Sequence, residues 1–369
     1  MTTEDRPTPK LIVHIGDCKS GSTAIQSVLQ RGSYRYIEPG APSLRYALGG
    51  RRKGLNHHRL SNSLHLENHA KIKDEAWGRF AEEVAACKDD LIVISSERFE
   101  FCDPAIVANQ LRKVLPEHIH RTMRVIAYVR PHAQRLLSGY AQQVRQGLFE
   151  GSLEAFLDHV TDEARFAFAP RLERWQAAFG QALTLRVMDR TSLEGACVVH
   201  DFLAFCAEKR ATPRVDLIPT ANTSLNPFGL ATMRALSAEL KRRNPAPNAE
   251  RQALLQHLAT QLEDTDGFGT GSLRVPARLA DRVDAAFAED AATCDRLFFD
   301  GTPLTQSLAT IVAAARSSDA SVMPEPDAPE ILRHRDMAIA WMEILRMQQR
   351  AQQAAARKAN GPSGRRHVQ

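Results

Sequence analysis

Residues 11–16, Leu-Ile-Val-His-Ile-Gly, form an apolar run of strand length. They feed directly into Asp-Cys-Lys-Ser-Gly-Ser-Thr at 17–23, after which Ala-Ile-Gln-Ser-Val-Leu at 24–29 takes up an apolar helical period. A buried strand turning this tightly into a helix points to an α/β fold. It also makes an anion cradle. The first N–H groups of a helix have no partner within it, and the helix dipole adds partial positive charge there. Gly21 permits close backbone approach, Ser22 and Thr23 supply hydroxyls, and Lys19 supplies a full charge. The plain alternative is an ordinary Gly/Ser turn.

The ATP-binding loop reads G-x-x-x-x-G-K-[ST], with lysine directly after the second glycine and the hydroxyl on magnesium. Gly16 and Gly21 have that separation, but Ser22 stands where the lysine belongs. Lys19 lies inside the turn, placed to reach a bridging or leaving oxygen from the loop side. A kinase built on this loop would lack its usual β/γ-phosphate clamp.

The 369 residues suffice for one large domain or two. A hydrophobic content of 43% with 25% charged residues fits a globular protein. The net charge of +5 favours an anionic cofactor or substrate but is too modest and dispersed for nucleic acid. No run approaches the roughly 18 apolar residues of a membrane span, and the polar start at 1–10 holds no signal-peptide core. Cys18, Cys87, Cys102, Cys197, Cys206 and Cys294 are scattered without a C-x-x-C pair. They read as free thiols in a reducing, cytoplasmic setting.

Four segments read as buried parallel strands: 11–16, 91–95, 123–129 and 183–188. Helical patterns separate them, at 20–30, 75–87, 104–115, 131–146, 153–160, 170–179 and 193–209. The expected architecture is a P-loop-like three-layer fold, a central parallel sheet flanked by helices, with a largely helical C-terminal region. Residues 32–74, rich in Gly, Pro, His and Arg, break the rhythm and read as a surface or substrate-facing insertion. His57 and His58 do not share a helix face and lack an acidic partner nearby in sequence, which disfavours a metal site. The α/β domain then covers 1–310, a Pro-rich acidic linker 311–330, and a helix with a disordered basic tip 331–369. That helix packs either on its own domain or, as a homo-oligomer contact, on a second copy of the chain.

A second anion site is readable after the third strand. Arg130 ends it, Pro131 opens a helix, and Ser138 lies two turns beyond Arg130, so both converge on the carboxyl edge where ligands of such sheets bind. Taken singly, each residue is an ordinary solvated arginine or a helix serine bonded to its own backbone.

Together the two sites resemble the sulfotransferase family that uses 3′-phosphoadenosine-5′-phosphosulfate (PAPS), in particular its bacterial and carbohydrate-acting members. Residues 14–26 look like its 5′-phosphosulfate loop. Residues 129–140, with arginine and serine eight apart, look like its 3′-phosphate motif. The likeness extends through Gln143 and Gly147 and returns at 222–225, covering roughly 10–225. It implies that Lys19, Ser20, Gly21, Ser22 and Thr23 hold the 5′-phosphate and sulfuryl group, and that Arg130 and Ser138 hold the 3′-phosphate. The late basic motif that closes over the nucleotide in many members has no clean copy here. Residues 267–274 are the substitute, with Arg274 as the charge.

Sulfuryl transfer needs positive charge on the departing phosphate, the role of Lys19 and the loop amides. It also needs a base. Glu97 follows the second core strand, where several glycan-acting members resemble this chain in using a glutamate, and His14 on the first strand is the second candidate. Burial would raise the pKa of Glu97, whereas Arg98 or Lys19 nearby would lower it. Its plain role is an ion-pair partner that orients one of them. The expected cofactor is PAPS, released as adenosine 3′,5′-bisphosphate, with no metal required. The polar insertion and the scarcity of aromatics, 6%, favour a saccharide or glycoconjugate acceptor over a small alcohol or phenol, with a tyrosyl peptide as a further alternative. An ATP-dependent small-molecule kinase and a non-catalytic nucleotide-binding module are the competing classes.

Overall fold

The structure, a computed structural model, describes residues 8–18, 20–51, 54–216, 224–245, 249–269, 271–317 and 323–359. Two compact units share the chain. The first comprises Met1–Gly139, Leu157–Asn222 and Val275–Asp319, and the second Tyr140–Phe156, Thr223–Arg274 and Ala320–Gln369.

The strands are β1 (Lys10–His14), β2 (Tyr34–Tyr36), β3 (Leu44–Tyr46), β4 (Leu91–Ser95), β5 (Arg124–Val129), β6 (Leu183–Val187) and β7 (Pro213–Val215). Five of them form one sheet in the order β3-β4-β1-β5-β6, every pair parallel. β2 and β7 make a separate antiparallel ribbon. The helices are α1 (Ser22–Arg31), α2 (His58–His65), α3 (Lys73–Ala86), α4 (Pro104–Val114), α5 (Glu117–Thr122), α6 (His132–Arg145), α7 (Leu153–Asp162), α8 (Phe168–Phe179), α9 (Val198–Cys206), α10 (Pro227–Arg243), α11 (Ala249–Glu263), α12 (Ala280–Phe298), α13 (Pro303–Arg316) and α14 (Pro329–Ala359).

Strand alternation builds two cores in the first unit. Leu11, Val13, Ile92, Ile94 and Val125 face Trp77 and Phe80 of α3, Leu111 of α4 and Trp175 of α8. Ile12, Val93, Ile126 and Tyr128 face Ile25 and Val28 of α1 and Phe202 and Phe205 of α9. The result is the expected three-layer α/β arrangement. Burial of each large side chain contributes about 2–3 kcal/mol. The four core strands lie within two residues of their expected limits.

The insertion is where expectation and structure part. Residues 32–74 are not an open loop. They contribute β2, the edge strand β3 and helix α2, followed by a 3-10 turn at Glu67–Ile72. Helix α2 escapes an apolar-period search because much of its buried face is polar: Ser61, Asn62 and Ser63 are buried beside Leu60. Residues 311–316, expected as the head of a linker, instead complete α13, which buries Leu308, Val312 and Ala315. The closing helix begins at Pro329, and the basic tip at 361–369 lies outside the described residues.

The second unit is helical. Ala231 and Ala235 of α10 pack with Ile331 of α14, and Asn226 caps α10 by accepting the Gly229 amide at 2.8 Å.

Candidate active site at the carboxyl edge of the sheet

β1 stays in the sheet through Ile15, whose amide donates to Ile126 O at 3.0 Å, and then turns at Gly16. Gly16 and Gly21 both have left-handed backbones, φ +44° and +83°. A Cβ at Gly21 would stand 2.7 Å from Val198 Cγ1, and one at Gly16 would stand 2.8 Å from Ser22 Oγ and 3.2 Å from Glu97 Cα. Glycine is required at both points for conformation and for space. Helix α1 starts here with no side chain capping it and no acidic residue in its first turn. Ser22 Oγ is buried without a hydrogen-bond partner, while Thr23 is exposed. Uncapped amides beside an orphaned hydroxyl fit a phosphate or sulfuryl oxygen. The Ser20 side chain is engaged within the turn. Its hydroxyl donates to Asp17 O at 2.5 Å and accepts the Asp17 amide at 3.1 Å, so it shapes the turn itself. Lys19 lies outside the described residues.

A buried ionic cluster supports the turn, and nothing in the sequence announced it. Arg171 of α8 reaches Asp17 Oδ1 and Glu100 Oε1, each at 2.9 Å. Arg135 of α6 approaches Glu100 at 3.6 Å, and the Cys18 amide donates to Glu100 Oε2 at 2.9 Å. Burial pushes the Asp17 carboxyl up against the pull of Arg171. Burial acts on Glu100 too, but there Arg171, Arg135 and the Cys18 amide outweigh it and hold the carboxyl down.

On the other side of β1, the register pairs His14 with Ser95, which places Glu97 level with Gly16. The carboxylate of Glu97 is approached on both oxygens. Gln26 Nε2 donates to Oε2 at 3.1 Å and also to Ser95 Oγ at 3.0 Å. His58 Nε2 comes within 3.0 Å of Oε1, close but off the ideal hydrogen-bond line. Burial would raise the Glu97 carboxyl, but His58, the local amide and Gln26 prevail and hold it at about 2. The side chain that meets the carboxylate is thus His58, not Arg98, whose guanidinium turns to Asn62 Oδ1 at 3.3 Å. His14 is fully buried, bonded through Nδ1 to Ser95 Oγ at 2.8 Å and packed on Tyr128 and Phe202. Burial, opposed by the Glu97 charge, takes its pKa down to about 4, and no part of the ring meets solvent. His57 is structural: Nε2 donates to Ala47 O at 3.0 Å and Nδ1 accepts the Ser95 amide at 3.1 Å.

β5 is the other neighbour of β1, and Ile126 pairs with His14. Gly16 is therefore level with Tyr128, and Arg130 leaves the same edge of the neighbouring strand two residues, about 7 Å, further on. Arg130 is partly buried, its Nε has no partner, and it forms no ion pair among the described residues. Burial and the neighbouring Arg135 charge lower its proton affinity. A guanidinium without a counter-ion in this position suits an anion. Ser138 Oγ donates to Arg135 O at 3.2 Å, the usual back-bond of a helix serine. Arg274 is exposed and belongs to the second unit.

The fold and this edge define an α/β protein with an uncapped strand–turn–helix and, beside it, an arginine without an ion-pair partner among the described residues. Solved structures similar to the chain include the following two. A sulfotransferase from Alicyclobacillus acidocaldarius aligns with a TM-score of 0.41 at 12% identity, over 80% of this chain and 98% of its own. Retinol dehydratase, solved with androsterone and the inactive cofactor PAP, aligns with a TM-score of 0.25 at 12% identity, over 86% of this chain and 83% of its own. Likeness at this level carries no weight for activity. No family model and no curated protein matches the chain.

Proposed function

We propose that the chain is a PAPS-dependent sulfotransferase acting on a hydroxyl acceptor of saccharide or glycoconjugate type. The observation that carries this reading is Arg130, a guanidinium without a carboxylate partner among the described residues, just past the strand next to the one that ends in the uncapped turn. One doubly phosphorylated nucleotide would answer both needs, with Gly21, Ser22, Thr23 and Lys19 at its 5′ end and Arg130 with Ser138 at its 3′ end. When bound, that nucleotide supplies the sulfuryl group. The chain's own part is to hold two anionic ends, place positive charge at the departing phosphate and take a proton from the acceptor.

The acceptor class rests on the scarcity of aromatics, 6%, and on the polar residues of the 32–74 insertion, from which His58 reaches Glu97. The six unpaired thiols support a reducing compartment, and we place the enzyme in the cytoplasm. No helix among the described residues is long and apolar enough to cross a membrane.

Calorimetry in EDTA tests the cofactor, and labelled PAPS with saccharides, phenols and tyrosine peptides tests the acceptor. Binding of adenosine 3′,5′-bisphosphate without metal, followed by transfer to a saccharide, is the expected result. A requirement for ATP and magnesium would make the protein a kinase. Binding without transfer to any acceptor would make it a nucleotide-binding module.

A further inference from the structure

We infer that His58, oriented by Glu97, takes the acceptor's proton, and that the carboxylate is a positioning group. The inference rests on the sulfotransferase reading.

An ionised carboxylate only accepts hydrogen bonds. The ring nitrogen that faces Glu97, Nε2 at 3.0 Å, therefore carries the imidazole proton, and Nδ1 keeps its lone pair. Nδ1 has no hydrogen-bond partner among the described residues, and the His58 side chain is 26% exposed. The basic nitrogen is accessible. Glu97 is poorly suited to the same task. Both of its oxygens already face donors, and a carboxylate held at about 2 retains almost no affinity for a proton near neutrality. An imidazole is the side chain adapted to that range.

The neighbouring histidines are otherwise engaged. His57 bonds backbone through both ring nitrogens, and His14 is sealed in the core. The two adjacent histidines of the insertion thus divide their work. His57, clamped between the β3 and β4 ends, fixes the start of α2, and His58 is the first residue of that helix. Off-line geometry between His58 and Glu97 is common in such pairs before substrate aligns them.

Among the described residues, few groups face His58. Glu97 approaches from the turn after β4, and His57 immediately precedes it at the helix start. Arg98 turns to Asn62, while on α3 Glu75 is taken by Arg59 and Arg79. Glu67, His69 and Lys71 are the titratable residues of the turn that follows α2. In the step, the acceptor O–H bond breaks and its proton goes to Nδ1. Its electron pair stays on oxygen to form the bond to sulfur, and the sulfur–phosphate bond breaks with its pair leaving on the phosphate. The imidazolium that results is balanced by Glu97.

The test combines the full chain's imidazole ¹⁵N spectrum with a pH profile of transfer. In the native protein the His58 proton should reside on Nε2, and Glu97→Gln should shift the ring towards a tautomer mixture. His58→Ala should lower kcat about a hundredfold or more. It should keep the Kd for adenosine 3′,5′-bisphosphate within about twofold, lose the rising limb of the pH profile, and recover rate with added imidazole. His58→Asn serves if His58→Ala fails to fold. A proton found on Nδ1, or a rising limb intact in either variant, overturns the assignment while leaving the sulfotransferase reading in place. Absence of both bisphosphate binding and transfer in the native chain would remove the sulfotransferase reading, and this assignment with it.

Discussion

Arg171 and Asp17 meet at 2.9 Å beneath the turn that leaves β1, and the same guanidinium holds Glu100. Arg171→Met would take the buried Asp17 carboxylate's cation away and leave Glu100 beside it with only Arg135 and the Cys18 amide. Breaking a buried pair in this way costs about 3–5 kcal/mol, to be read from the urea midpoint. Adding Asp17→Asn and Glu100→Gln should recover much of that loss. A single-variant cost below about 1 kcal/mol would mean the cluster is solvated after all.

The pH dependence of stability should carry a signature of Glu97. Its folded pKa of about 2 lies below its ordinary 4.5. A carboxyl depressed on folding stabilises above its unfolded pKa and loses that contribution as pH falls through the folded one. The window is therefore roughly pH 4.5 down to 2, and the amount is no more than about 3 kcal/mol because the side chain is partly solvated. Urea unfolding of Glu97→Gln across that window should show a flatter curve than the native chain. Parallel curves would remove Glu97 from the list of depressed groups.

Nucleotide selection should divide along the chain. Arg130→Ala is expected to weaken adenosine 3′,5′-bisphosphate about 10–100-fold, as befits a charge-assisted contact, and to leave AMP nearly unchanged. Ser138→Ala should do the same more weakly. Lys19→Ala should weaken both ligands and abolish transfer. Equal losses for AMP and the bisphosphate in Arg130→Ala would detach that residue from the 3′-phosphate.

Met337, Trp341, Ile344 and Met347 line one side of α14 and are all exposed, Trp341 at 65%. We propose this stripe as the contact between two copies of the chain. Sedimentation should show concentration-dependent dimers that Trp341→Ser reduces. A monomer at all concentrations would leave the stripe unexplained.

The strands, the glycine turn and the position of Arg130 at the sheet edge were legible because their signals are local: an apolar run, a glycine pair, an arginine before Pro131. The partners were not. Arg171 and Asp17 are 154 positions apart in the chain, and no periodicity links them. His58 looked like half of a weak metal pair because its carboxylate, Glu97, arrives from another strand. Helix α2 was hidden by its own chemistry, since a buried face written in serine and asparagine has no hydrophobic period to detect. The bonding of Ser20 was hidden for a related reason: a hydroxyl in a tight turn serves the turn first.

Parallel pairing of β1 with β5 turns the sheet into a ruler. The offset between the turn after β1 and Arg130 is dictated by backbone ladder geometry, which side-chain substitutions barely alter. Excising two residues from β5 would keep its inward and outward faces in phase yet retract Arg130 by about 7 Å. A chain so shortened should still fold, and should then prefer a nucleotide of different length.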